Sequence, residues 1–168
     1  MAYPASMHSD DPAALAEQMV GELAAQRSEA VRLFNHAWAL MDLAERTPAE
    51  DFDLIHCAHA SRWHWGRAGG PQEWAIGEWQ CSRVYAVLAR SEPALVHARR
   101  CLALCQEHAL DGFIIASAHE ALCRAHFVAG DLAEAWAARD RATALAADLA
   151  DLDDRAVVEG DLATIPLG

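Results

Sequence analysis

Apolar residues recur along this chain every three to four positions, and the recurrence breaks only where Pro, Gly or a capping residue intervenes. Pro12, Pro48, Pro71 and Pro93 stand where helices start, because Pro at the first helical position loses no hydrogen bond and has its φ already set. Thr47-Pro48-Ala49-Glu50 has the pattern of a capping box. Gly70-Pro71-Gln72-Glu73 and Glu92-Pro93 mark further starts, and Asp111-Gly112 ends the segment before Phe113. The spacing predicts helices over 12–46, 50–67, 72–90, 93–108, 113–129 and 131–150. In the first of these, a stripe through Leu15, Met19, Leu23, Ala30, Phe34, Trp38 and Met41 crosses the polar patch Gln26 to Glu29, so one long helix or a bend is expected. No strand pattern competes.

The expected fold is therefore all-α: about six helices in antiparallel hairpins over 28–67, 72–108 and 113–150, forming a compact single domain over 12–150. Residues 1–11 are expected to be a disordered N-terminus, and 151–168 an acidic C-terminal tail with a short capping helix around 153–159. Composition agrees, since more than a fifth of the chain is alanine, a strong helix former that also lets helices approach closely. A chain of 168 residues buries roughly 70% of its unfolded surface, so neither metal nor disulfide is needed for folding.

Charge narrows the partners. Thirteen basic residues, all Arg, against 25 acidic ones give −12, a field that repels a phosphate backbone and disfavours nucleic acid. There is no run of 18 apolar residues and no basic, apolar leader at the start, so no membrane is expected as partner and the expected location is cytoplasmic. Cys57, Cys81, Cys101, Cys105 and Cys123 lie in apolar helical stretches without a CxxC pair and read as reduced core residues. The nucleotide-binding patterns GxxxxGK[ST] and GxGxxG, and the hydrolase patterns HExxH and GxSxG, are absent. Gly66-Arg67-Ala68-Gly69-Gly70 has no strand before it and reads as a hairpin turn.

Helical wheels single out polar groups on apolar faces. Over 50–67, Phe52, His56, His59 and Trp63 share one face and Leu54, Ala58 and Trp65 another, which predicts a helix packed on two sides. His56 and His59 are either metal or proton-transfer groups or core imidazoles bonded to a carbonyl or carboxylate. Over 72–90, Glu78 interrupts the stripe Trp74, Cys81, Tyr85, Leu88 and needs a partner, for which a His or Arg would suffice. Trp79, Arg83 and Arg90 lie on the opposite face as a candidate aromatic and cationic patch. Over 93–108, His97, Cys101, Cys105 and His108 form a stripe of soft ligands that a small-residue packing face would equally produce. Over 113–129, His119 and His126 fall on the inner face, while Ser117, Glu120 and Arg124 are expected outside, the last two as a surface ion pair.

Within Ala118 to Leu145, Leu122, Cys123, His126 and Phe127 would form an inner face, Gly130 a helix end, Asp131 with Glu134 a cap, and Ala135 and Ala142 close contacts. In those positions the segment resembles a tetratricopeptide (TPR) repeat, with His119 where that pattern favours Trp and Cys123 where it favours Gly or Ala. The resemblance covers one clear repeat and implies TPR-like right-handed packing of helical hairpins around a recognition groove. The expected function is a non-enzymatic helical-repeat binding module without cofactor, taking a protein segment or small ligand in a groove lined by Trp63, Trp79, Arg83, His119 and His126. An aromatic face would also serve as a homodimer seam. The alternative is a helical-bundle metalloprotein or acid/base enzyme in which His56, His59, Glu78 and His119 hold one Zn, Fe or Mn ion. In length and histidine content the chain also resembles DinB-like bundles that hold a metal with three His, although the His56, His59, His64 spacing departs from their HxxxH pattern.

Overall fold

The computed structural model describes residues 11–167, which fold into seven helices and no strand: α1 Pro12–Met41, α2 Pro48–Ala68, α3 Pro71–Val87, α4 Ser91–Glu107, α5 Gly112–Ala129, α6 Leu132–Ala147 and α7 Leu152–Ala163. The disordered N-terminus expected over 1–11 lies outside the described residues except for Asp11, whose side chain caps α1 by accepting the Ala13 N–H.

The local signals act as their chemistry requires. At α2 the Thr47 N–H donates to Glu50 Oε2 at 2.7 Å and the Glu50 N–H to Thr47 Oγ1 at 3.3 Å, closing the capping box. Gly130 ends α5 at φ +77°, the left-handed conformation that glycine adopts without steric cost. Ala89 and Ala109 hold φ of +55° and +51° just past α3 and α4, with no glycine to relieve them.

Four expectations change. α4 starts at Ser91, so Pro93 is its third residue and not its first, still within the turn whose N–H groups have no intrahelical acceptor. α1 runs unbroken across the polar patch and stops at Met41, because Arg46 folds back to donate to the Met41 and Leu40 carbonyls and to pair with Asp51 at 2.8 Å. Asp131 does not cap α6 through its side chain; its carboxylate lies instead 3.4 Å from His126 Nδ1. The tail helix is longer than expected: Asp151 accepts from the Asp153 and Asp154 N–H groups and caps it one residue earlier, and it runs on past Glu159 to Ala163.

Consecutive helices pack backbone on backbone, and α1, α3, α5 and α7 also approach in that order, whereas α2 and α4 meet through side chains, His59 against His97. The core is divided accordingly: Ala37, Leu40, Leu54, Ala58 and Val84 fill the junction of α1, α2 and α3; Ala75, Leu104, Cys105, Ile114 and Ala118 that of α3, α4 and α5; Ala116, Cys123, Ala142, Val158, Leu162 and Ile165 the end covered by α7. Buried hydroxyls and an amide tie the layers through carbonyls of neighbouring helices, Ser61 to Ala30, Ser82 to Ala94 and Gln80 to Phe34, each near 2.9 Å. No cysteine is in a disulfide; Cys57 is half-buried and the other four are buried, and burial pushes the Cys81 thiol up to about 12 and that of Cys123 to about 11. The N-terminal half of α1 extends past the bundle, with Leu15, Met19, Val20 and Leu23 all exposed. No helix among the described residues is long and apolar enough to cross a membrane.

Candidate functional site

The inner faces of α1, α3 and α5, with Trp65 contributed by α2, surround an apolar hollow of about 410 Å³. Its walls are Val31, Phe34, Trp38, Trp65, Ile76 and Trp79, closed below by Phe113, Ile114 and Ala75. Phe34 and Trp38, four apart on α1, meet edge to face at 6.4 Å, and Trp38 tilts against Trp79 at 5.7 Å, so three aromatic rings from two helices make one continuous wall. Volumes of roughly 300–1,000 Å³ with mostly hydrophobic walls are typical of ligand pockets.

Three polar groups on this wall are committed to the protein. Trp79 Nε1 donates to Glu120 Oε2 at 2.9 Å, leaving the carbon face of the indole toward the hollow. Ser117 Oγ donates to the Phe113 carbonyl of its own helix at 2.9 Å. Glu73, at the rim, accepts the Gly70 N–H at 2.9 Å and pairs with Arg27 at 3.4 Å; the Gly70 bond, joined by the Arg27 charge and opposed by partial burial, holds its carboxyl below the usual range.

Behind Trp79 lies a buried ionic frame. Glu120 is 1% exposed and accepts from Arg124 Nε at 2.7 Å and Arg83 Nη1 at 3.3 Å besides the indole. Arg83 reaches Asp161 of α7 at 2.9 Å and lies over the Trp38 ring at 5.7 Å; Arg124 also donates to the Asp161 carbonyl. This corrects the surface ion pair expected of Glu120 and Arg124 and the open polar patch expected of Trp79 and Arg83: α7 and α1 cover that side.

A second polar cluster sits where α2, α3 and α4 meet. Glu78 receives Arg62 Nε at 2.8 Å and His97 Nδ1 at 2.7 Å. Burial alone would raise the Glu78 pKa, but the His97 hydrogen bond and the Arg62 and His97 charges together bring it below the usual value. His59 Nε2 lies 2.9 Å from the Tyr85 hydroxyl, and its ring meets His97 at 5.1 Å. Burial, with the neighbouring His97 charge, lowers the His59 pKa.

Of the five residues expected to line a groove, only Trp79 faces the hollow and Arg83 supports it from behind. Trp63 is 55% exposed on the outer face of α2, under the Arg67 guanidinium at 4.7 Å; with Phe52 and His56 also exposed, α2 is packed on one side and not two. His126 is paired loosely with Asp131 at the end of α5. His119 is half-buried on α5 with Arg141 of α6 as its charged neighbour. Likewise the quartet His56, His59, Glu78 and His119 does not assemble: His59 and Glu78 are neighbours, His56 is exposed, and His97 stands where the others were expected. Sequence reasoning missed Trp38, Trp65 and Phe113 as wall residues; the aromatic pair Phe34 and Trp38, four apart on a helix, was the available signal.

Burial, with a smaller contribution from the Arg141 charge, holds the His119 imidazole below the usual histidine pKa. The folded state then takes up this proton less readily than the unfolded chain, so the stabilisation is full near neutral pH and is lost as pH falls below about 6.5 toward the folded value. His119→Gln is expected to reduce the drop in urea midpoint between about pH 7 and pH 5; an unchanged pH profile would assign that drop to other groups.

No protein-family model matches the chain, and neither the curated proteins nor the solved structures compared with it gave a match.

Proposed function

We propose that the protein is a non-enzymatic binding module and that its receiving surface is the Trp38–Trp65–Trp79 hollow, which takes an apolar group: a hydrophobic small molecule or the apolar side chains of a protein segment. The observation that carries this reading is the pairing of a 410 Å³ concavity with walls whose polar atoms at Glu73, Ser117 and Trp79 already have protein partners. A polar ligand would find almost no polar surface there to replace its hydration, whereas an apolar one gains about 25 cal/mol for each Å² removed from water. The order in which the backbones of α1, α3, α5 and α7 approach one another supports reading the hairpins as TPR-like units whose first helices line the recognition side.

The test is a titration with the neutral fluorophore N-phenyl-1-naphthylamine, read by its own emission and by quenching of the indoles. Wild-type protein is expected to bind one equivalent, and Ser117→Phe, which projects a ring into the hollow from α5, to lose that binding at unchanged helicity. Equal binding by both proteins would place the probe elsewhere and sink the reading. Competition by a hydrophobic small molecule or by an amphipathic peptide then separates the two sources of the apolar group.

A further inference from the structure

The cluster between α2, α3 and α4 lies apart from the walls of the hollow and holds a donor set that packing does not require. His59 of α2, Cys81 of α3 and His97 of α4 each offer a ligand atom, and these atoms all lie within 4.8 Å of one another; no other group of three or more such donors gathers this way among the described residues. Donors around a tetrahedral Zn(II) stand roughly 3.3–3.6 Å apart, as follows from Zn–N near 2.0 Å and Zn–S near 2.3 Å, so side-chain rotations of about 1 Å close the set.

The surroundings are arranged for ligation. His97 donates its Nδ1–H to Glu78 Oε2 at 2.7 Å, which fixes the tautomer and leaves the Nε2 lone pair for an ion. Glu78 is itself anchored by Arg62 Nε at 2.8 Å, across the point where Gly77 lets α2 and α3 approach closely. The Tyr85 ring stacks on His97 with 10° between planes, and its hydroxyl lies 2.9 Å from His59, so one tyrosine steadies both imidazoles. Cys81 closes the set from the core at 1% exposure, while His59 and His97 are half-buried and give the ion a way in from solvent.

We propose that His59, Cys81 and His97 bind one Zn(II)-class transition-metal ion through two imidazoles and a thiolate, with Glu78 as the positioning residue of His97 and the fourth coordination position left to water. Two nitrogens and one sulfur suit Zn(II) or its spectroscopic substitute Co(II) and exclude the oxygen-seeking Mg(II) and Ca(II). Binding converts the Cys81 thiol to thiolate and releases its proton to solvent; both imidazoles ligate in the neutral form, so one that is protonated beforehand gives up its proton as well. Three protein ligands with one open position is the arrangement of zinc sites that act on a bound water or ligand.

The test uses untagged, full-length protein stripped by chelator and titrated with Co(II), then Zn(II). One equivalent of Co(II) is expected, with the intense visible bands of tetrahedral coordination and a near-ultraviolet thiolate-to-metal band, all removed by one equivalent of Zn(II). Cys81→Ser is expected to lose the thiolate band, and His97→Gln to weaken binding at least tenfold. Glu78→Gln should keep the thiolate band and weaken binding about 10- to 100-fold, the effect of losing the partner that orients a ligating imidazole. His56→Ala and Ser117→Phe should bind as wild type does, which keeps this result separable from the fate of the hollow. No stoichiometric uptake, or the same spectrum in Cys81→Ser and His97→Gln, would overturn the proposal. Because Cys81 is buried, His97→Gln, at a partly exposed position, decides the matter if the serine variant loses helicity.

Discussion

Glu120→Ala is expected to lower the stability of the fold by about 3–5 kcal/mol, the range for removing one partner of a buried ion pair. Among the described residues the carboxylate is the only group that joins Trp79, Arg83 and Arg124, and the guanidinium side chains around it are each 12% exposed. Without it, Arg83 keeps the Asp161 carboxylate and Arg124 keeps the Asp161 carbonyl and Thr164, so one carboxylate is left where two had balanced the two guanidinium charges. The Trp79 indole N–H loses its acceptor at the same time, a further unsatisfied donor. Glu120→Gln keeps the volume and one acceptor oxygen and should cost less. Urea denaturation measures both; a loss below about 1 kcal/mol for the alanine variant would mean that the frame is wet and the charges are screened.

Gly77→Val is expected to cost about 2–4 kcal/mol, although replacing a mid-helix glycine usually stabilises a helix by up to about 1 kcal/mol. A Cβ at Gly77 would stand 2.6 Å from Arg62 Cδ and 3.3 Å from Arg62 Cα, so both the side chain and the backbone of α2 oppose it. Arg62 can yield only by leaving Glu78, which then keeps His97 alone. The strain therefore falls on the α2–α3 contact and on the buried carboxylate together. Thermal denaturation of Gly77→Ala and Gly77→Val gives the sign: both should melt below wild type, the valine variant further. A higher melting temperature for Gly77→Ala would show that the two helices have room between them.

Helix existence and most boundaries were readable because each rests on chemistry within one turn. Pro12, Pro48 and Pro71 take the first helical position, the Thr47–Glu50 box closes, and Gly130 supplies the left-handed cap. Glu78 was readable as a buried carboxylate in need of a His or Arg, and it has both. What a wheel drawn on one helix cannot supply is which distant element covers a face. Glu120 and Arg124 read as a surface pair because they are four apart and charged, yet α7, nearly forty residues on, brings Asp161 and Thr164 over them. Trp63 and Trp65, two residues apart, point to opposite sides of α2, and only the packing of α1 and α3 decides that Trp65 is the one enclosed. His97 escaped the candidate metal set because its stripe with Cys101 and Cys105 suggested ligands along one helix, whereas the donors that meet come from three. In each case the missing information is a contact between residues far apart in sequence, made by side chains whose local pattern is compatible with either face.

The most direct test of the central claim is an NMR titration of the tryptophan side-chain N–H signals with a hydrophobic ligand. Trp38, Trp65 and Trp79 line the hollow, while Trp63 and Trp136 are exposed elsewhere, so the indoles report position as well as binding. The expected result is a saturable shift of the Trp38, Trp65 and Trp79 signals with those of Trp63 and Trp136 unmoved. Shifts centred on Trp63 or Trp136, with the three wall indoles unchanged at saturation, would contradict it.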